Sequence, residues 1–391
     1  MLRRFFLRSA GVLTIAAVGG GIWRAWDQGV FDSGNGPAFE PWDDWRNTKD
    51  SPLTLVSAAI LAASPHNTQP WLFQVSESSI DMYIDTSRNV GALDPYLREA
   101  HIGLGCALEN LLRASAPNGY AASVTLPPAK LAPIPTEPNP QLVARVKLTK
   151  GARKRDELYE AIPQRRTNRS RYNPHLPLPA DFLKAIAHVP DSSSVKLFLY
   201  TSEVDRQKIA DLSLAAMQEL YGDRQVQEDT KRWVRLRWND VEKFRDGLTV
   251  DGFGLNDGEK TMAKMMPDNM LERVASQRET DDYSDLMMSS PLIGIIAVRD
   301  RYDREQCLVA GRTWQRLHLF ATTKEVAARP CNEGVQIIDY ERAAGKAASR
   351  LAMFKEITHD PAWQPTFIFC MGYSRLPASA SPRRPVEWVQ L

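Results

Sequence analysis

The sequence predicts an α/β or α+β protein. Strand-like runs and helical patterns alternate or cluster along the chain. The first two runs pair across a short turn, and a late apolar run reads as a buried strand.

The pattern becomes regular at Leu53. Leu53–Ala63, "LTLVSAAILAA", is an apolar, Ala-rich helix, and it runs into "SPHNTQPW" (64–71). "LFQV" and "IDMYID" then form paired strands around Glu77-Ser78-Ser79. Leu97 to Ala114 is a helix whose Gly103, Gly105 and Ala107 suit close packing. "AASVTL" and "VARVKLT" are strands joined by the Pro-rich "PPAKLAPIPTEPNP".

A second unit begins near Gly151. Asp156–Ile162 is helical and is followed by "RRTNRSRY"; Ala180–Val189 is a helix and "KLFLY" a strand. Glu203–Leu220 is helical, "PLIGIIAV" a buried strand, Arg304–Thr323 and Glu341–Glu356 helices, and "TFIFCMGY" a last buried strand. "IGLGCALENLLRA" (102–114) and "VAGRTWQRLHLFA" (309–321) share a pattern, with Leu108 and Leu111 matching Trp314 and Leu317. Internal duplication explains this, and so does the likeness of any two core helices.

The division that follows is 1–30 as a signal or anchor, 31–50 as a lead segment, 51–150 as a first half and 151–391 as a second. Residues 222–290 interrupt the second half. Six of the eleven methionines lie between Met262 and Met288. Such a segment suits either an adaptable lid over a ligand or a helical excursion packed on the surface.

The chain of 391 residues is 43% hydrophobic and 25% charged, as expected of a globular protein, and its net charge of +2 argues neither for nor against nucleic acid. No broad basic stripe or aromatic platform exists, so nucleic acid is not an expected partner. "MLRRFFLRSAGVLTIAAVGGGIW" has a basic start and then a mildly apolar run. Arg3-Arg4-Phe5-Phe6-Leu7-Arg8 resembles a twin-arginine export address; a basic amphipathic terminus is the other reading. Export predicts a periplasmic protein, or one anchored to the membrane by its N-terminus and facing the periplasm. The four cysteines, Cys106, Cys307, Cys331 and Cys370, form no C-x-x-C pair, so neither a zinc site nor a redox dithiol is expected, and Cys106 and Cys370, in apolar runs, read as small buried hydrophobes. The six histidines show no metal spacing either.

Two basic groups stand out. Arg165-Arg166-Thr167-Asn168-Arg169 follows a helix, and Arg383-Arg384 lies in the tail "SPRRPVEW". Arginine presents a planar fork of donors that matches phosphate oxygens. Converging on one phosphate, the two groups would hold an anionic cofactor; apart, they would be solvated surface charge. No G-x-S-x-G elbow, P-loop or H-E-x-x-H occurs, and Gly252-Phe253-Gly254 lacks the third glycine of a dinucleotide turn. Missing acid–base machinery suits chemistry carried by a bound cofactor.

Four segments, in order, resemble the nitroreductase family of FMN-binding flavoproteins. "ASPHNTQPWLF" is similar to that family's signature. "AIPQRRTNRSRY" resembles its phosphate-gripping arginine segment. "ATTKEVAARPCNEG" resembles the stretch passing the flavin N5 edge, with Glu325 where the family usually carries Gly. "GY…SPRRPVEWV" resembles the C-terminal phosphate contact. The likeness covers about residues 50 to 391, with 222–290 outside the shared pattern. The arginine segment follows the "N-x-Q-P-W" segment in a chain of double length, as in Acg-type nitroreductase-like proteins, where one chain imitates the family's homodimer.

The resemblance implies an α+β nitroreductase-like fold, with two related halves and helices around antiparallel-type sheets. It implies one intact FMN site per chain, because each half lacks the other's motif. Arg165, Thr167 and Arg169 would bind phosphate and ribityl oxygens, and Arg166 would lend backbone contact. Ser64, Pro65, His66, Asn67 and Gln69 would line the other side of the ring system. Pro330, Cys331 and Asn332 would pass N5, and Arg383 and Arg384 would close the phosphate site. No side chain need act as nucleophile or base, and no metal is called for. The implied activity is FMN-dependent electron transfer to a small-molecule acceptor such as a nitroaromatic, quinone or enone. NAD(P)H, a quinol or a protein would be the donor. The alternative is an FMN-sequestering protein with little turnover. The chain would be a monomer resembling a dimer, or a dimer.

Overall fold

The computed structural model describes residues 23–32, 34–47, 51–134, 140–267, 270–271 and 283–391. The export-like residues 1–22 lie outside these, as does part of the Met-rich stretch. No helix among the described residues is long and apolar enough to cross a membrane.

Two four-stranded sheets dominate. The first contains β1 (Trp71–Val75), β2 (Ser79–Ile84), β3 (Tyr120–Thr125) and β4 (Gln141–Lys150) in the order β1-β2-β4-β3. The second contains β5 (Val195–Tyr200), β8 (Leu292–Val298), β9 (Ala327–Pro330) and β10 (Gln364–Gly372) in the order β5-β8-β10-β9. Every pairing within the two sheets is antiparallel. The only parallel ladder among the described residues joins the two-residue β6 (Val234–Arg235) and β7 (Leu248–Thr249). The class is therefore α+β rather than α/β.

The halves repeat one plan: strand, strand, long helix, edge strand, inner strand. The long helices are α2 (Arg98–Ser115), preceded by α1 (Leu53–Ala59), and α8 (Arg304–Thr323). They differ in their connections. Three residues join β1 to β2, whereas the chain between β5 and β8 carries α4 (Glu203–Gly222), α5 (Arg224–Lys231), α6 (Trp238–Phe244) and α7 (Asp257–Met265). The short α3 (Glu157–Ala161) opens the second half.

Helices α2 and α8 cross at backbone contact. A Cβ on Gly105 would lie 2.1 Å from the Leu308 carbonyl oxygen, and one on Gly311 would lie 2.0 Å from that of Ile102. The contact is reciprocal: each glycine meets the carbonyl three residues before the other. The matching offset, 206 residues, is the one that pairs Leu108 with Trp314 and Leu111 with Leu317, all of them buried. Polar side chains flank the crossing. Glu109 receives Arg113, Arg312 and Arg316 at 2.9, 3.0 and 3.2 Å, and Gln315 Nε2 donates to Asn110 Oδ1 at 2.8 Å. Between the halves, Arg98 Nε donates to Asp339 at 2.6 Å, and Arg301 and Tyr302 also bind that carboxylate at 2.9 Å. Burial this complete is tolerable only because every charge in the group has a partner.

Three local expectations change. The helix expected over Glu341–Glu356 is two, α9 (Glu333–Ala343) and α10 (Ser349–Thr358), separated where Gly345 takes φ +65° and halts the first. The helix expected over Leu53–Ala63 ends at Ala59. The edge strand β9, with Pro330 as its last residue, carried no strand signal. β8 is buried at all seven positions, as a strand covered on both faces should be.

Replacing Gly311 by Ala forces a methyl group into the Ile102 backbone and should cost about 1–3 kcal/mol or more of unfolding free energy. Gly222→Ala, where nothing lies within 4 Å of the added carbon, should cost nothing. Equal denaturation midpoints for the two variants would show that the close crossing is not required.

Candidate functional site

The residues 64–69 form a strained turn against α2. His66, Asn67 and Gln69 all have positive φ, at 46°, 56° and 52°. Conformations of this kind cost of order 1 kcal/mol or more each in non-glycine residues, so the surroundings must fix them. Thr68 N donates to Pro65 O at 2.9 Å, and Gln69 N to Ser64 Oγ at 3.0 Å. Gly103 of α2 leaves room for Ser64 and Pro65, whose side-chain carbons would lie 3.1–3.2 Å from a Cβ there.

The buried amides of this turn serve the protein itself. Asn67 Nδ2 donates to Pro382 O at 3.0 Å and Gly247 O at 3.2 Å, and its Oδ1 accepts from Arg383 at 2.6 Å. Gln69 Nε2 donates to Arg245 O at 2.8 Å, and its Oε1 accepts from Arg384 N at 2.9 Å. The expectation that these amides face a ligand ring is corrected on this point: they clamp the C-terminal tail and the 245–247 loop.

The two arginine groups do converge. Arg165 and Arg383 are each 2% exposed. Arg165 donates to Leu61 O at 3.1 Å and lies 3.5 Å from His318 Nδ1. Arg383 donates to Ala62 O at 3.1 Å, so both guanidiniums cap the chain leaving α1. Arg166 donates to Pro163 O at 2.8 Å. All three surround the indole of Trp42, at 5.9, 4.0 and 4.7 Å from ring centroid to guanidinium carbon for Arg165, Arg166 and Arg383. Trp42 is itself held by a 2.8 Å bond from Nε1 to Ser381 O. Cation–π contacts of this kind contribute about 0.5–2 kcal/mol each.

This cluster lacks counter-charge. Among the described residues no carboxylate forms an ion pair with Arg165, Arg166 or Arg383, although Asp43 lies near enough to favour the charge on Arg166. The Nε atoms of Arg165 and Arg383 are buried without an acceptor. Burial, and then the neighbouring arginines, pull the pKa of Arg383 well below its usual value; burial and Arg166 pull Arg165 down to about 10. Such a group is unstable alone and is relieved by an anion.

The other predicted residues sit at the margins. Arg169 donates to Gly252 O at 3.2 Å, where Gly254, at φ +74°, lets the chain pass against the Arg169 backbone. Arg384 reaches Gln69 O at 3.1 Å. Thr167 bridges to Ala328 of β9, and Asn168 N donates to Ala328 O at 3.1 Å. Pro330, Cys331 and Asn332 continue that strand but face β10: Cys331 touches Cys370, and Asn332 Oδ1 accepts from Ile368 N at 2.9 Å. They join the arginines through β9, not by side-chain contact. Glu325 takes φ +55°, the backbone state that favours glycine.

Three contributors carried no sequence signal: Trp42, His318 and the 245–247 loop. Only the motif "PWDDW", with Pro41 starting a one-turn helix, hinted at a fixed Trp42.

No protein-family model matches the chain. It is 32% identical over 125 residues to two Mycobacterium tuberculosis proteins that carry the name NAD(P)H nitroreductase, MT3217 and Rv3131. The match covers 31% of this chain and spans about a third (33%) of the length of those relatives. Among solved structures, the FMN-dependent nitroreductase NfnB from Mycobacterium smegmatis, in complex with NADPH, overlaps 59% of this chain and 96% of its own at 12% identity and a TM-score of 0.38. A nitroreductase with bound FMN from Desulfitobacterium hafniense overlaps 59% and 95% at 13% identity and 0.34. Scores so low carry no weight alone.

His66 is half-buried, and burial together with the Arg169 charge lowers its pKa to about 4. The folded chain therefore resists a proton that the unfolded chain accepts near pH 6.5, so stability falls as pH drops from about 6.5 to about 4. His101 and His318 act in the same direction. Asparagine tolerates the left-handed backbone, so His66→Asn should fold and should flatten part of this slope in denaturant titrations across that range. An unchanged slope would remove His66 from the acid response.

Proposed function

We propose that this chain is an FMN-dependent oxidoreductase of nitroreductase type. The observation that carries the reading is the arginine cluster: three guanidiniums without an ion-pair partner among the described residues, two of them buried with orphaned Nε–H groups. A phosphate monoester supplies the charge and the acceptors that this cluster lacks. Arg165, Arg166 and Arg383 would hold it, with Thr167 and Arg169 beside the ribityl chain. The identity to proteins named as NAD(P)H nitroreductases supports the same class.

FMN, when bound, supplies two-electron transfer at N5. The protein's part is to bind, orient and shield. The strained 64–69 turn fixes one wall, and β9 with Pro330–Asn332 the other. His66, neutral above a pKa of about 4, adds no charge to that wall. NAD(P)H, a quinol or a protein partner would reduce the loaded enzyme, and a nitroaromatic, quinone or enone would reoxidise it. Export through the N-terminal segment, and one site per pseudo-dimeric chain, belong to the same proposal.

A second reading has its own observation. Trp42 lies against the cluster, and residues 23–32 and 34–47 are latched to the insertion: Phe39 stacks on Trp238 at 6.0 Å, and Lys264 Nζ donates to Gly29 O at 2.8 Å. A cofactor sealed in this way would be stored rather than turned over.

If the arginines hold phosphate, the purified protein should bind FMN far more tightly than riboflavin. Charge-assisted contacts worth about 1.5–3 kcal/mol each make this roughly ten- to a hundredfold per arginine. Arg165→Ala should narrow that ratio in flavin-fluorescence titrations, whereas equal affinity of the wild type for both flavins would end the phosphate assignment. Anaerobic mixing of the loaded protein with NADPH separates the two functions. Bleaching of the flavin absorbance supports turnover, and persistent colour that bleaches with dithionite supports storage.

A further inference from the structure

Four cysteines are buried and free, but they are not alike. Cys106 lies 3.3 Å from the Gly311 carbonyl and Cys307 3.2 Å from that of Arg301, each with its thiol occupied by a helix or loop carbonyl. Burial pushes both thiols up, Cys106 to about 12. Cys331 and Cys370 have each other instead, with their sulfurs 3.4 Å apart. Cys331 follows β9 directly, and its N–H donates to Ile368 O at 2.8 Å, which ties it to the strand that carries Cys370.

The surroundings divide the labour between the two sulfurs. Arg329 precedes Cys331 by two residues and therefore shares its side of the strand. Burial alone would raise the Cys331 thiol, but the hydrogen bond with Cys370 and the Arg329 charge outweigh it and bring its pKa below the usual cysteine value. Burial and Cys331 push Cys370 well up. The two sulfurs are thus unlike, Cys331 the more readily ionised and Cys370 the less. Cys106 and Cys307 have no such division.

We propose that Cys331 and Cys370 are a redox site that reacts with small hydroperoxides and closes to an intramolecular disulfide. The Cys331 thiolate attacks one peroxide oxygen. The O–O bond breaks, and hydroxide leaves and is protonated to water, giving a sulfenic acid at Cys331. The Cys370 sulfur then attacks the Cys331 sulfur. The S–S bond forms, the S–O bond breaks, and the Cys370 proton leaves with the hydroxyl as a second water. Two thiols are oxidised by two electrons and one peroxide is reduced to two waters. A disulfide needs about 2.05 Å between sulfurs, so the pair closes a short gap from contact distance.

Burial selects the oxidant. Both sulfurs have no exposed surface, which bars a protein disulfide or a bulky reagent, so the oxidant the proposal calls for is hydrogen peroxide, with two heavy atoms. The product would matter to the neighbouring arginines. β9 is bonded on one edge to β10 and on the other to Asn168 through Ala328. A covalent tie from Cys331 to β10 pins the strand that supports the arginine segment.

The test counts thiols. Full-length protein is reduced, desalted, exposed in its native state to hydrogen peroxide, then unfolded in excess N-ethylmaleimide. The wild type should take up two maleimides instead of four, the peptides carrying Cys331 and Cys370 should be joined, and dithiothreitol should restore four. Uptake of four after peroxide, or a link that involves Cys106 or Cys307, overturns the proposal. Cys370→Ser should leave Cys331 trapped as a sulfenic acid that dimedone labels when the peroxide-treated chain is unfolded in its presence. Because the primary readout uses the unmodified chain, the proposal stays testable even if that variant folds poorly.

Discussion

The structure depends on the crossing of two helices at Gly105 and Gly311. Side chains normally hold packed helices 8–10 Å apart. Here each glycine lets the other helix bring a backbone carbonyl to where a Cβ would stand. The approach welds the two halves into one body. It also sets where everything else can go. The C-terminal part of α8 delivers His318 to Arg165, the front of α2 receives the Ser64–Pro65 turn at Gly103, and the chain leaving α1 offers the Leu61 and Ala62 carbonyls to two guanidiniums. The arginine cluster exists because three helix ends meet there.

Arginines brought together in a dry place repel one another. The chain offsets this with neutral partners instead of carboxylates: main-chain carbonyls, the Asn67 amide oxygen, a histidine held neutral and an indole face. Carbonyls and π systems stabilise a guanidinium without cancelling its charge. Carboxylates are abundant nearby in sequence, in "PWDDW" and "DELYE", yet Glu160 is spent on Arg46 at 2.6 Å and Asp156 on capping α3. The net positive potential at Arg165, Arg166 and Arg383 is thus a property of how partners are distributed. That distribution sets the cluster apart from a structural ion-pair network such as the one around Asp339.

Much of this was legible in the chain, for identifiable reasons. The helix register shows in Leu108/Leu111 against Trp314/Leu317, because both helices bury the same stripe. The strands show in their apolar runs, and the meeting of the two arginine groups with "SPHNTQPW" follows from the family resemblance. What stayed hidden depends on contacts distant in sequence. Nothing local says that Asn67 and Gln69 would spend their amides on the tail and on the 245–247 loop, or that Trp42 would lie beneath three arginines. The break at Gly345 and the strand ending in Pro330 fail for a different reason. There, local propensity was overridden by one left-handed residue and by pairing to β10.

The inserted segment between β5 and β8 shows how an asymmetric function can be built on a symmetric plan. The first half closes the equivalent connection in three residues. The longer one sends Arg245 and Gly247 to accept from the two amides of the 64–69 turn, and sends Asp246 to Arg88 and Arg235. Arg88 in turn donates to Thr68 O at 2.6 Å. A loop bonded at both amides of a turn and braced by two buried-side ion pairs is frame, not flap: lifting it would undo the hydrogen bonds that hold the positive-φ residues Asn67 and Gln69 in place. A cover that can move must then be sought elsewhere. Residues 38–42 meet the arginines through the Arg383 N bond to Ala38 O and through the three guanidiniums around Trp42, whose indole donates to Ser381 O.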